Sequence, residues 1–244
     1  MFINGPSKQV IAPIVADIRR RAAAVGRNPA EILIFTMMTV ITAPTSKAAE
    51  AKLEEYRSFA SEEGALVLMS GWTGVDFSTS RFDEPIRHSR QDAQTSALDA
   101  FTIADPSRVW TVREIAKHAA IGGRGPLVVG SPEEVTDDLI AWVEETDVDG
   151  FNLDYAVTPE TFVDFIDLVV PELQQRGRYK LDYALGTLRE KLYGPGRARL
   201  GEDMRRQNSA ALLIDLIPGE TVGRVRARCA SDPNRFITAL TRWR

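Results

Sequence analysis

The chain has one cysteine, Cys229, and two histidines, His88 and His118, among its 244 residues. A single thiol excludes an internal disulfide and fits a reducing compartment. So few soft ligands also exclude a Cys/His zinc set, and the carboxylates show no metal-ligand spacing; no metal is expected. No apolar run approaches the roughly 20 residues that cross a bilayer, and no basic, apolar and small-residue succession marks a leader. The expectation is a cytoplasmic protein with no membrane partner. An excess of positive charge is missing too: 30 Lys and Arg stand against 34 Asp and Glu, a net charge of -4. Proteins that bind nucleic acid usually carry a basic face, so that partner class is set aside. The glycine-rich stretch "GGRGPLVVG" lacks both the lysine of a phosphate loop and G-x-G-x-x-G spacing. It reads as a flexible approach to the helix after it.

What is present is a globular composition, 44% hydrophobic and 26% charged, enough for one large domain with a real core or two small ones. "MFINGPSKQV" opens on an apolar triplet, turns at Asn4-Gly5-Pro6 and launches a helix from Ser7. Along that helix Val10, Ile11, Ile14, Val15, Ile18, Ala22 and Val25 recur at helical spacing, and Gly26 ends it. Ile32 to Ile41 is almost continuously apolar and β-branched, the pattern of a strand covered on both faces. Thr45 caps a second helix with Ala49, Leu53, Tyr56 and Ala60 on one stripe. The third unit begins at Ser131, where a cap, Pro132 at the first helical position and Glu134 completing a capping box agree on one helix start. Val135, Leu139, Trp142 and Val143 form its buried stripe, an acidic turn ends it, and "DGFNL" follows as a strand. A helix from Thr158-Pro159 then buries Phe162, Phe165, Ile166, Val169 and Leu173, with a break near Pro171 and Gly177 beyond its end. Between the second and third units, residues 61–110 show no clear period and read as an insertion or lid. Thr111 and Glu114 box a short helix running to Gly122.

Three β-α units with buried strands predict parallel pairing and right-handed crossovers, as in α/β barrels and doubly wound sheets. A complete eight-stranded barrel needs about 250 residues and eight strands, so the sheet reads as incomplete.

"MSGWTGVDFS", "FDEPI", "GGRGPLVVGSPEEVTDDLIAWVEETDVDGFNL", "VVPELQQRG" and "TLREKLYGPGRARLGED" occur in this order. Together they resemble the C-terminal half of the flavin-dependent monooxygenases of the nitrilotriacetate and dibenzothiophene-sulfone type, in the bacterial luciferase-like superfamily. The resemblance implies a partial TIM barrel: the stretch from Met1 is similar to the sixth strand and its helix, "EILIFTMMTVI" to the seventh strand, and "DGFNL" to the eighth. It implies oxygenation of a small organic substrate by dioxygen and reduced FMN, with a separate flavin reductase as partner. The family's first five or so strands, with most of its flavin contacts, have no counterpart. The expected working form therefore needs a homodimer or a missing N-terminal half, and a non-catalytic remnant that self-associates is the competing reading. The expected domains are 1–200, part of the barrel with an insertion at about 61–110, and an unassigned tail at 201–244. A changed reading frame, a fusion and an added helix pair all stay open for the tail.

In a barrel, chemistry sits at the C-terminal strand ends, which here are Asn4-Gly5, Thr39 to Thr42, and Asn152 to Tyr155. Asn4 and Asn152 are candidates for hydrogen bonds to a substrate or flavin edge; a turn amide satisfying its own loop is the competing role. Trp72 and Phe77, in the insertion, are substrate-lining candidates, with core or lid packing as the alternative. His88 is a candidate base, but no Ser, Cys or Asp arrangement near it supports a triad, and it reads as a surface residue; His118, on an amphipathic helix, reads as a packing or surface residue. Met37 and Met38 read as core filling.

Overall fold

The structure is a computed structural model that describes residues 1–89, 94–200 and 241–242. Met1–Leu181 with residues 241–242 form one unit, and residues 182–200 belong to a second. Apart from residues 241–242, the sequence reading of the 201–244 tail lies outside the described residues.

In the first unit, β1 (Phe2–Ile3) leads through Gly5 into α1 (Lys8–Ala24). A Cβ on Gly5 would lie 2.7 Å from Val10 Cγ1 and 3.2 Å from Ile11 Cδ1, so a larger residue would push the helix away from the strand end. Then come β2 (Phe35–Thr42), α2 (Ser46–Phe59), α3 (Glu62–Thr73), α4 (Thr95–Thr102) and α5 (Val112–Gly122). After these follow β3 (Leu127–Gly130), α6 (Pro132–Thr146), β4 (Gly150–Asp154), α7 (Glu160–Asp164), a π turn (Phe165–Val169) and α8 (Val170–Gln175). In the second unit α9 (Leu188–Tyr193) starts from a Thr187–Glu190 capping box. The strand β5 (Thr241–Arg242) belongs to the first unit.

β1, β3 and β4 all pair parallel to β2. Phe35 N–H donates to Met1 O at 2.9 Å and Thr39 N–H to Pro126 O at 3.0 Å, while Ile34 O accepts from Asp149 N–H at 2.7 Å. Backbone groups of alternate residues point to opposite edges of a strand. β1 and β3 therefore lie end to end along one edge of β2, and β4 holds the other. Beyond β4, β5 pairs antiparallel.

The register divides the side chains between two faces. Ile34, Met38 and Val40 of the β2 segment join Val128 and Phe151 in a core covered by Ile11 and Val15 of α1 and Val135, Leu139 and Trp142 of α6. Met37, paired in register with Asn152, points to the opposite face. A second core lies under the insertion, where Leu66, Met69, Phe77, Phe101, Trp110 and Ile115 pack together.

Four expectations change. The stretch "GGRGPLVVG" is not merely a flexible approach, because Leu127–Gly130 form a parallel strand on β2. Four residues of alternating burial behind Gly123, Gly125 and Pro126 are too short to leave an apolar run. Residues 61–110, read as aperiodic, contain α3 and α4. Val67 and Leu68 of α3 are exposed while Leu66 and Met69 are buried, so its sequence shows no single stripe. The helix does not break near Pro171. A π turn just before it shifts the hydrogen-bond register to absorb the missing N–H. The same turn rotates Ile166, expected inward, to 59% exposure.

One polar cluster fixes the N-terminal ends of the strands. Asp149, 1% exposed, accepts from Ile34 N–H at 2.8 Å and from Arg19 Nη2 at 2.8 Å. Arg19 also donates to the carbonyls of Pro29 and Ile32. Helix α1, β2 and β4 are thus tied at one point.

Candidate functional site

The end of β1, the middle of β4 at Asn152 and the N-terminal half of β2 at Met37 meet in a cleft of about 640 Å³. Its floor carries Asn4, Met37 and Asn152, and Ala97, Ala100 and Phe101 of α4 form one wall. Asn4 and Asn152, far apart in sequence, are brought together because each stands on the face of the sheet away from the α1 and α6 core. Asn4 Nδ2 lies 3.9 Å from Met37 Sδ, a weak contact. Its Oδ1 is buried and has no partner among the described residues. A buried amide oxygen without a donor costs free energy that a bound N–H or O–H group would recover.

The loop before β3 supplies the cleft's positive charge. A Cβ on Gly125 would come within 3.1 Å of Met37 Cε and 3.2 Å of Met37 O, so glycine lets this loop rest directly on the floor. Beside it Arg124 lines the cleft. Its Nη1 donates to Gln94 Oε1 at 3.0 Å, and its Cζ stands 5.2 Å from the Trp72 ring centroid. Desolvation pulls the pKa of Arg124 down.

Of the four residues singled out in the sequence, Asn4 and Asn152 line the cleft. Trp72 stands behind Arg124 and packs against the second core. Phe77, 3% exposed, lies inside that core. Arg124 was missed: it sits in a stretch whose glycines drew attention to nucleotide loops, and nothing in its spacing signals a cleft. His88 Nε2 lies 2.9 Å from Asp99 Oδ1, and Asp99 is the one carboxylate lining the cleft among the described residues. His118 Nε2 donates to Gly125 O at 2.8 Å, with its ring edge-on to Phe101 and Trp110. Burial lowers its pKa, so it is held neutral.

A second cleft, of about 450 Å³, is lined by Ser7, Lys8, Arg108, Lys117 and His118 among others. Lys8 is committed there to Asp138 and Glu145. Among the described residues no group of three or more His, Cys, Asp or Glu side chains is placed to hold a metal, and no helix is long and apolar enough to cross a membrane.

Among the described residues, the cleft that holds Asn4 and Asn152 thus combines an apolar bed with side-chain amides, the Arg124 cation and the Asp99 carboxylate. Comparison with known proteins gives this geometry a context. A family model described as luciferase-like monooxygenase matches residues 1–150. The dimethyl-sulfide monooxygenase of Hyphomicrobium sulfonivorans is 46% identical over 200 residues, covering 82% of this chain and 42% of the relative. The crystal structure of DmoA from Hyphomicrobium sulfonivorans superposes with a TM-score of 0.72 at 41% identity, covering 90% of this chain and 48% of that one. The crystal structure of riboflavin lyase with modified FMN and riboflavin gives 0.69 at 32% identity, covering 83% and 44%. The chain thus spans less than half the length of the proteins it matches.

Proposed function

The chain belongs to the luciferase-like monooxygenase family, as a partial α/β barrel, and on that premise we propose that it works in the oxygenation of a small organic substrate with reduced FMN. A separate flavin reductase supplies the reduced cofactor. The observation that carries this reading is the cleft on this face of the sheet, where the buried Asn4 Oδ1 has no partner among the described residues and shares the site with Asn152 and Met37. These residues fit a flavin ring: Met37 and Phe101 are apolar enough to lie against a flat aromatic system, and the two amides are suited to its polar edge. When bound, the reduced flavin supplies the electrons that activate dioxygen. This chain's part is to position the ring edge through Asn4 and Asn152 and to keep water off one side with Met37, Ile14 and Phe101.

The remaining cofactor contacts come from outside these residues, in a second polypeptide segment that continues the sheet or in a second copy. Less than half of each relative is represented, which supports such an assembly and equally the rival reading, a non-catalytic remnant that self-associates. Anaerobic titration of the chain with reduced FMN, alone and with a polypeptide corresponding to the rest of the Hyphomicrobium relative, separates them. Micromolar binding that tightens on complementation, and weakens about tenfold in Asn4→Ala or Asn152→Ala, is the expected result. Absence of flavin binding under both conditions leaves the remnant.

A further inference from the structure

We infer that the cleft takes a ligand bearing an oxyanion, a carboxylate, sulfonate or phosphate, and that Arg124 is the residue that holds it. The inference deepens the reading above by naming the chemistry of what enters the same cleft.

The guanidinium is fixed in place without being neutralised. Gln94 Oε1 takes one N–H at 3.0 Å, and Trp72 supports the guanidinium at 5.2 Å from the ring centroid to Cζ. Neither brings negative charge. Elsewhere in the fold Arg19, Arg113, Arg176 and Arg178 each meet a carboxylate. No described carboxylate meets Arg124, and the one lining the same cleft, Asp99, faces His88 at 2.9 Å. Partial burial disfavours the charged form, with no acid among the described residues to restore it.

A cation kept partly from water without a counter-charge destabilises the free protein. An arriving oxyanion reverses that cost, because the planar guanidinium still has N–H donors to offer in the fork that fits two oxygens of one acid group. The rest of the cleft describes the rest of the ligand. Val10, Ile14, Met37 and Phe101 form an apolar bed, and Asn4 Oδ1 waits for an N–H or O–H. The ligand is thus a small organic molecule with an apolar body, an acidic head and a hydrogen-bond donor. A flavin phosphate and an acidic substrate share this chemistry.

The test uses two matched pairs, FMN against riboflavin and 1-butanesulfonate against 1-butanol, titrated calorimetrically into the full chain. In at least one pair the charged member binds about tenfold more tightly than the neutral one. Arg124→Met removes the preference and Arg124→Lys keeps part of it, with unchanged circular dichroism; Arg124→Gln serves if the methionine variant does not fold. The pair that shows the preference identifies its source, flavin phosphate or substrate acid. If neither pair discriminates, or the preference survives in Arg124→Met, the inference is wrong. If Arg124 only braces Trp72, its loss weakens both members of a pair equally, which also overturns the inference. Equal binding of FMN and riboflavin with no sulfonate preference removes the oxyanion site and leaves the flavin reading. A sulfonate preference erased by Arg124→Met in a chain that binds no flavin does the reverse.

Discussion

Asp149 shows how much one side chain can carry. Its carboxylate takes the N–H of Ile34 and one arm of Arg19, while its own N–H returns a bond to Ile34 O. This reciprocal clasp sets the register of β4 on β2, and with it the pairing of Met37 and Asn152 on the cleft floor. Removing Asp149 strips the buried Ile34 N–H of its acceptor and leaves Arg19 only the more exposed Asp147 as an acidic partner, so Asp149→Ala should cost about 2 kcal/mol, read as a lower urea midpoint at unchanged slope. Asp149→Asn, which keeps an acceptor for Ile34, should cost about half as much. His118 gives a pH dependence. Its folded pKa lies below the ordinary value of 6.5 because it is buried, so below that value the unfolded chain takes up the proton first and stability falls as pH falls. His118→Gln, which still offers an N–H to Gly125 O, should lower the melting temperature at pH 7.5 but flatten its decline between pH 6.5 and 5. Parallel curves for the two proteins would dismiss this assignment. Neither residue's role was legible in sequence. Asp149 stood in an acidic turn like any solvated one, and His118 on an ordinary amphipathic helix.

Among the elements, legibility followed the range of the interactions that make them. α6 was readable to the residue because its start is local. Ser131 Oγ caps Glu134 N–H, and Glu134 Oε2 returns to Ser131 N–H at 3.0 Å. Ser131→Ala should therefore cost about 1 kcal/mol, seen as a drop of a few degrees in melting temperature without loss of helical signal. The periodicities of α1, α2 and β2 were equally local. β3 was not, because four residues become a strand only through the free edge of β2 beside β1. Helix α3 was hidden for the opposite reason, with apolar residues on its exposed side as well as its buried one. The continuation past Pro171 depends on a π turn that no apolar period announces. The cleft inherits this division. Asn4, just past β1, and Asn152, inside β4, belong to strands the sequence marks and could be named, whereas Arg124 reaches the cleft through a loop whose placement depends on Gly125 resting against Met37.

At the scale of the molecule, the incomplete ring was visible in the count of β-α units, and its family in the ordered motifs. How the sheet ends was not. Along its far side β4 is met by Thr241–Arg242, backbone to backbone, running against the direction shared by the other strands. A strand laid that way shields an edge but cannot extend a parallel barrel. In the assembly proposed above, a polypeptide that completes the barrel on this side would have to displace it before pairing, which would make completion an exchange reaction. Its observed rate should level off as the incoming partner is increased, at the rate at which residues 241–242 let go, and Thr241→Pro should raise that ceiling. A rate that climbs in proportion to partner concentration throughout would mean the berth was open from the start.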